Sequence, residues 1–128
     1  MTERTPINAE DAPAAVGPYS HAVRHGGVLY CSGSIPLDPE SGEIVGSSLA
    51  DETDQCLRNL AAVCRAGGTE LSQTLRATIY TTDLAGFAEI NAAYGKFFPN
   101  MPPARVTVGV SALPKGARVE IDAIVAVE

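Results

Sequence analysis

Two short strand patterns near the C-terminus constrain this chain more than any other stretch. PPARVTVGV (residues 102–110) and RVEIDAIVAV (residues 118–127) alternate apolar and polar residues with period two, the pattern of half-buried strands. In the first, Ala104, Val106, Val108 and Val110 share one face, and Arg105 and Thr107 share the other. In the second, Val119, Ile121, Ala123 and Val125 share one face, while Glu120 and Asp122 point away. One arginine and one carboxylate thus stand on rigid sheet positions near strand starts. That is a suitable place to hold a small anion beside a proton-transfer group. Solvated strand faces, or an arginine–glutamate pair that ties strands together, give the same pattern. On these two strands alone the plainer role is the better reading.

The rest of the chain supplies what such strands pack against. Residues 1–18 hold Pro6, Pro13, Gly17 and Pro18 among small and acidic residues and read as an irregular arm. YSHAV (19–23) and VLYCSG (28–33) read as strands joined by a turn at His25-Gly26-Gly27. Residues 35–46 carry loop chemistry in Pro36, Pro39 and Ser41-Gly42. A helix is predicted over about 50–66, with Ser47 or Ser48 as N-cap, Asp51 and Glu52 in the first turn and Gly67-Gly68 at its end. Its buried stripe is Thr53, Cys56, Leu57, Leu60, Val63 and Cys64. Residues 74–82 are β-branched and strand-like. Asp83 is expected to cap a second helix over about 84–98, whose stripe is Phe87, Ile90, Tyr94, Phe97 and Phe98.

Asn91 falls inside that second stripe, between Phe87 and Tyr94. A buried amide must be hydrogen-bonded, so it either anchors a nearby loop or lines a pocket. Spacing alone favours the anchor. The resulting order, β-β-α-β-α-β-β, predicts one α+β domain over residues 1–128, with both helices on one face of a sheet. The opposite face carries apolar residues without a helix to cover them, and a partner subunit is the natural cover.

Composition narrows the functional classes. The chain has 128 residues, 45% hydrophobic and 19% charged, which fits one globular domain with a real core. Its net charge of −6 and nine basic residues argue against general nucleic-acid binding. No apolar run approaches the roughly 20 residues of a membrane span, and the first residues show neither a secretory nor a transit pattern. Three cysteines, Cys31, Cys56 and Cys64, are expected as reduced thiols in a cytoplasmic setting. Cys56 and Cys64 lie about 12 Å apart along their helix, too far for a disulfide. All three read as core fillers, no metal-ligand spacing is present, and His21 and His25 pair with no nucleophile.

Several motifs together carry a family likeness. GPYS around Tyr19, CSGSIPLDPESGE (31–43), INAAYGKFF (90–98), PPAR (102–105) and LPKGARVEIDAIV (113–125) occur in order over nearly the whole chain. In these the chain resembles the reactive-intermediate deaminase (RidA/YjgF) family. The resemblance implies a single-domain chorismate-mutase-like α+β fold, assembled as a homotrimer around a central β-barrel with active sites in the clefts between subunits. It implies a 2-iminobutanoate/2-iminopropanoate deaminase-like hydrolase, which converts reactive 2-imino acids to 2-keto acids and ammonia without a cofactor. Arg105 matches the family arginine that binds the substrate carboxylate, and Glu120 matches the glutamate that handles the attacking water. Tyr19, Ser32, Gly33 and Asn91 match further substrate-binding positions. Thr107 stands where some members have cysteine, and the contact there is expected from the backbone.

The chemistry is coherent on its own terms. An arginine grips a carboxylate with two parallel N–H···O bonds, which fixes the adjacent imine carbon. A carboxylate then orients or deprotonates water, or passes its proton to the departing ammonia. Free imines already hydrolyse in water, so orientation plus one acid/base group suffices. Two other functions compete: a metabolite-binding regulatory trimer without turnover, and RNA cleavage or translational inhibition. Glu120 tilts against the first, because a pure carboxylate binder has no use for it. The acidic balance tilts against the second.

Overall fold

The computed structural model describes residues 3–128, so the first two residues of the arm lie outside the described residues. Among these, six strands form one mixed sheet in the order β1-β2-β3-β6-β4-β5. They are β1 (Thr5–Ile7), β2 (Ala22–His25), β3 (Val28–Ser34), β4 (Thr74–Thr81), β5 (Ala104–Gly109) and β6 (Val119–Ala126). Helix α1 spans Leu49–Ala66 and α2 spans Phe87–Gly95. All neighbouring strands are antiparallel except β4 and β5, which run parallel because α2 carries the chain across between them. Among the described residues no helix is long and apolar enough to cross a membrane.

The first helix forms where its pattern predicts. Ser48 caps it, its hydroxyl accepting the Asp51 N–H at 3.0 Å, worth about 1 kcal/mol. Gly67 closes it, donating back to Val63 and Cys64. The whole predicted stripe is buried, and Leu57 and Leu60 each contribute about 1.5–3 kcal/mol through apolar burial. Glu52, expected as a solvated first-turn acid, is only 3% exposed. One of its oxygens accepts the Arg118 Nε–H at 2.7 Å and the other accepts the Arg118 backbone N–H at 2.8 Å. This clasp pins the entry to β6 onto α1.

Elsewhere the structure corrects the reading. The arm is not irregular throughout, since Thr5–Ile7 pairs with β2 as an edge strand, where Pro6 costs no ladder bond. The first hairpin strand starts at Ala22, leaving Tyr19, Ser20 and His21 in the preceding loop. Its turn at Gly26-Gly27 does form, with both glycines left-handed at φ 60° and 80°. The second helix is shorter than 84–98. A tight 3₁₀ turn occupies Leu84–Gly86, and the α-helix ends at Gly95. Asp83 supplies no side-chain cap.

The strand faces decide the rest. Residues opposite each other on paired strands share a face, so Ala77, Arg105 and Ala123 stand together, as do Ile79, Thr107 and Ile121. Both helices cover that face. Ser34, opposite Ile121, donates to the Cys56 carbonyl of α1 at 2.9 Å, and Phe87 and Tyr94 of α2 lie against Arg105. The other face presents Thr78, Tyr80, Val106, Val108, Glu120 and Asp122. It has no helix over it, and Tyr30, Val106 and Val108 are 49%, 41% and 37% exposed. In β6 the predicted apolar set is the buried one. In β5 the assignment reverses: the valines are open, and the arginine side is covered.

Candidate active site

The residues expected in one site fall into two groups. The first sits on the helix-covered face at the β5 edge. Arg105 donates from Nη to the Asn91 Oδ1 of α2 at 2.7 Å. Its guanidinium carbon lies 4.9 Å from the Tyr94 ring centre and 5.4 Å from that of Phe87, both within cation–π range. Arg105, Asn91 and Tyr94 line an open groove with Gly95, Phe98, Pro102 and Pro103. Among the described residues no carboxylate pairs with Arg105. It is therefore a steered cation, with donors to spare for an outside anion. Thr107 stands two residues along on the same face, half-buried. Asn91 is exposed, not buried as the stripe suggested, so it serves as a pocket wall and not a loop anchor.

Two aromatic contributions to this group escaped the sequence. Phe87 and Tyr94 read only as core stripe, yet they hold the guanidinium in place. The Tyr94 hydroxyl is buried without a hydrogen-bond partner. Burial pushes it up, against the pull of the Arg105 charge, so it stays a protonated donor.

The second group sits on the open face and at the end of β3. A bulge between Cys31 and Ser34 shifts the pairing with β6 and presents Gly33 to Glu120. A β-carbon at position 33 would overlap the Glu120 carboxylate, so glycine is what admits that side chain. Ser32 is fixed by donating its hydroxyl to the Ser20 carbonyl at 2.7 Å and its N–H to the His21 carbonyl at 2.9 Å. Tyr19 is exposed on the loop above. Burial raises the Glu120 carboxyl above the ordinary value of 4.5, and the Asp122 charge adds to the shift. Asp122 in turn accepts the Tyr80 hydroxyl at 2.9 Å.

The two groups do not meet within one chain. Arg105 shares its face with Ala77 and Ala123, whereas Glu120 shares the other with Tyr80 and Val108. Strand β4 stands between them. The juxtaposition of arginine and carboxylate suggested by the strand pattern is therefore absent from a single protomer.

The thiols stay out of the site. All three cysteines are free and buried. Contact with the Cys64 sulfur, then burial, pushes the Cys31 thiol up, and burial pushes Cys56 up as well.

Comparison with known proteins places this architecture. The family model described as endoribonuclease L-PSP matches residues 9–127. The chain belongs to the endoribonuclease L-PSP family, with the RutC and RidA proteins. It is 49% identical over 120 residues to the RutC family protein y4sK of Sinorhizobium fredii, covering 94% of this chain and 95% of that one. It is 42% identical over 118 residues to Reactive Intermediate Deaminase A, chloroplastic, of Arabidopsis thaliana, covering 92% of this chain and 63% of that one. Among solved structures of the same fold, E. coli TdcF with bound serine superposes with a TM-score of 0.91 at 35% identity. That match covers 97% of this chain and 99% of that one. Family membership and the two-helix, mixed-sheet α+β fold thus agree with the resemblance read from the motifs.

Proposed function

We propose that this protein is a hydrolytic deaminase of reactive 2-imino acids, working without a cofactor at sites built between protomers of a homotrimer. The observation that carries the reading is Arg105, a guanidinium fixed by Asn91 and two aromatic rings, facing an open groove and paired with no carboxylate among the described residues. It grips the substrate carboxylate and so sets the imine carbon. Glu120 of the adjacent protomer, with Tyr19, Ser32 and Gly33, completes the site. Its carboxylate takes a proton from water as that water adds to the C=N carbon and passes it to the nitrogen, then relays the remaining hydroxyl proton to the nitrogen as the C–N bond breaks, which leaves the keto acid and ammonia. The deaminase name of the Arabidopsis relative supports this chemistry. So does the serine in the TdcF structure, an amino acid that carries a carboxylate beside a nitrogen-bearing carbon.

Assembly follows from the same reasoning. Arg105 and Glu120 stand on opposite faces, so one site needs two protomers. The open valines supply an apolar surface for the contact. The trimeric number comes from the family likeness.

The test uses imines generated in situ by an amino-acid oxidase, with semicarbazide competing for them. The protein should divert imine to keto acid and ammonia, and Glu120→Gln should lower kcat by about 10²-fold. Semicarbazone formation unaffected by added protein would remove the reading. The family description favours a second reading, RNA cleavage. A net charge of −6 weighs against it, and turnover of a single-stranded RNA without turnover of imines would establish it instead.

A further inference from the structure

On the open face, side chains of β4 and β6 alternate in a fixed register. Tyr80 stands opposite Glu120, Thr78 opposite Asp122 and Arg76 opposite Ile124. Asp122 therefore has Tyr80 on one diagonal, beside Glu120, and Arg76 on the other, away from it. Both diagonals are within reach of aromatic and long side chains. Charge alone would turn Asp122 toward Arg76. Instead its Oδ2 accepts the Tyr80 hydroxyl at 2.9 Å, and among the described residues no ion pair joins it to Arg76. Arg76 is exposed and shares with Tyr30, Thr78, Tyr80 and Asp122 the wall of a hollow of about 230 Å³. Space thus lies open for the carboxylate to turn the other way. Burial, then the bond to Asp122, push the Tyr80 phenol above its ordinary 10.0, so it stays a protonated donor.

We propose that Tyr80 is a positioning residue for Glu120: its hydroxyl holds the Asp122 carboxylate on the Glu120 side, against the pull of Arg76. This rests on the reading above of Glu120 as the acid/base group. A like charge acts on its neighbour only as far as it stays near. Two positions along a strand separate the pair by about 7 Å, where a like charge moves a midpoint by about 0.4–1.7 pH units, from water-like to protein-like screening. A swing about 3 Å farther removes about a third of that, and pairing with Arg76 cancels more. The other groups around Glu120 stay as they are. Gly33 of β3 rests against it, and Val108 of β5 lies beyond Tyr80. On α1 the buried Cys56 feels both its charge and that of Glu52. In the proposed assembly Arg105 of the adjacent protomer joins them.

The experiment titrates Glu120 in two ways. One is the pH profile of kcat/KM for an imine generated by an amino-acid oxidase. The other is the carbon-13 shift of its carboxyl in glutamate-labelled protein, assigned with Glu120→Gln. Tyr80→Phe keeps the ring and loses only the hydroxyl. It should lower the Glu120 midpoint by about a third or more of the drop that Asp122→Asn gives, with melting temperature near wild type. In the Asp122→Asn background the same change should do nothing further, because the hydroxyl acts through that carboxylate. In the Arg76→Gln background its effect should shrink, since the cation that draws Asp122 away is gone. A midpoint that stays or rises in Tyr80→Phe overturns the proposal. So does an equal drop in the Asp122→Asn background, which would make Tyr80 a shield and not a tether. The carbon-13 readout keeps the two readings apart: if it falls as expected while no imine is hydrolysed, the placement of Asp122 by Tyr80 stands and the deaminase reading alone fails.

Discussion

Arg105 and Glu120 stand on opposite faces of one sheet, so a site that uses both draws them from different protomers. Two inactive variants should therefore rescue each other. Arg105→Ala loses a charge-assisted grip on the carboxylate, about 1.5–3 kcal/mol, or roughly 10- to 150-fold in kcat/KM. Glu120→Gln loses its acid/base group, about 10²-fold. Co-expressed in equal amounts with different tags, the two kinds of protomer assort at random. An intact site takes Arg105 from a Glu120→Gln protomer and Glu120 from an Arg105→Ala protomer. Each choice has a chance of about one half, so about one quarter of sites recover, whatever the number of protomers in the ring. The separate variants retain at most about one-tenth of wild-type activity, so the gain is measurable. Keto-acid release from the unfractionated mixture is the assay, with a pull-down through each tag to prove co-assembly. If the co-assembled mixture is no more active than the mean of its parents, both residues serve from one chain, and the division of the site drawn from strand register is wrong.

Three further outcomes follow from particular contacts. Burial and the Asp122 charge hold Glu120 above 4.5, so kcat/KM should fall as pH drops through a midpoint above that value. Asp122→Asn should move the midpoint down, and a midpoint left in place would show that the Asp122 charge is not felt. The sign for stability agrees: the ionised carboxyl is the disfavoured form in the folded chain, so its penalty is present at neutral pH and lifts as the pH falls through the raised value. Gly33→Ala puts a methyl where the Glu120 carboxylate rests, and the flexible acid must swing away. Its kcat should approach that of Glu120→Gln while melting temperature stays near wild type; an unchanged kcat would mean that Glu120 works from another position. Glu52→Ala strips the buried end of the clasp on Arg118. Because Arg118 reaches water, the loss should sit near the low end for broken buried pairs, about 2–3 kcal/mol by denaturant unfolding, and a loss under half of that would make the clasp a surface contact.

Most of the fold was legible because its signals are local. Ser48, the α1 stripe and Gly67 specify a helix within their own span, and Gly26-Gly27 specifies a hairpin turn. What was not legible depends on partners distant in sequence. Thr5–Ile7 carries no alternation of its own and becomes a strand only because β2 offers an edge. Glu52 reads as a first-turn acid until Arg118, far along the chain, arrives beside it. Asn91 lies on an apolar stripe by angle, yet the covered sheet ends at β5 beneath it and leaves it in the open. Phe87 and Tyr94 obey helical spacing as core residues do, and no spacing rule tells a core aromatic from one that carries a cation.

The reversal in β5 shows why the site divides as it does. Period-two patterning says which residues share a face, but not which face meets water. In β6 the apolar face is the buried one, since α1 covers the centre of the sheet. Strand β5 lies at the edge, where α2 crosses with Phe87 and Tyr94 against Arg105, leaving Val106 and Val108 bare. An edge strand with open valines is a liability unless another surface covers it. Glu120 shares that open face, whereas Arg105 does not. In the proposed assembly the cover is a second copy, and the contact that buries the valines also carries a foreign Arg105 to the Glu120 side. Burial of the valines and completion of the site then become one event: a protomer alone has the grip and the acid, but never on the same substrate.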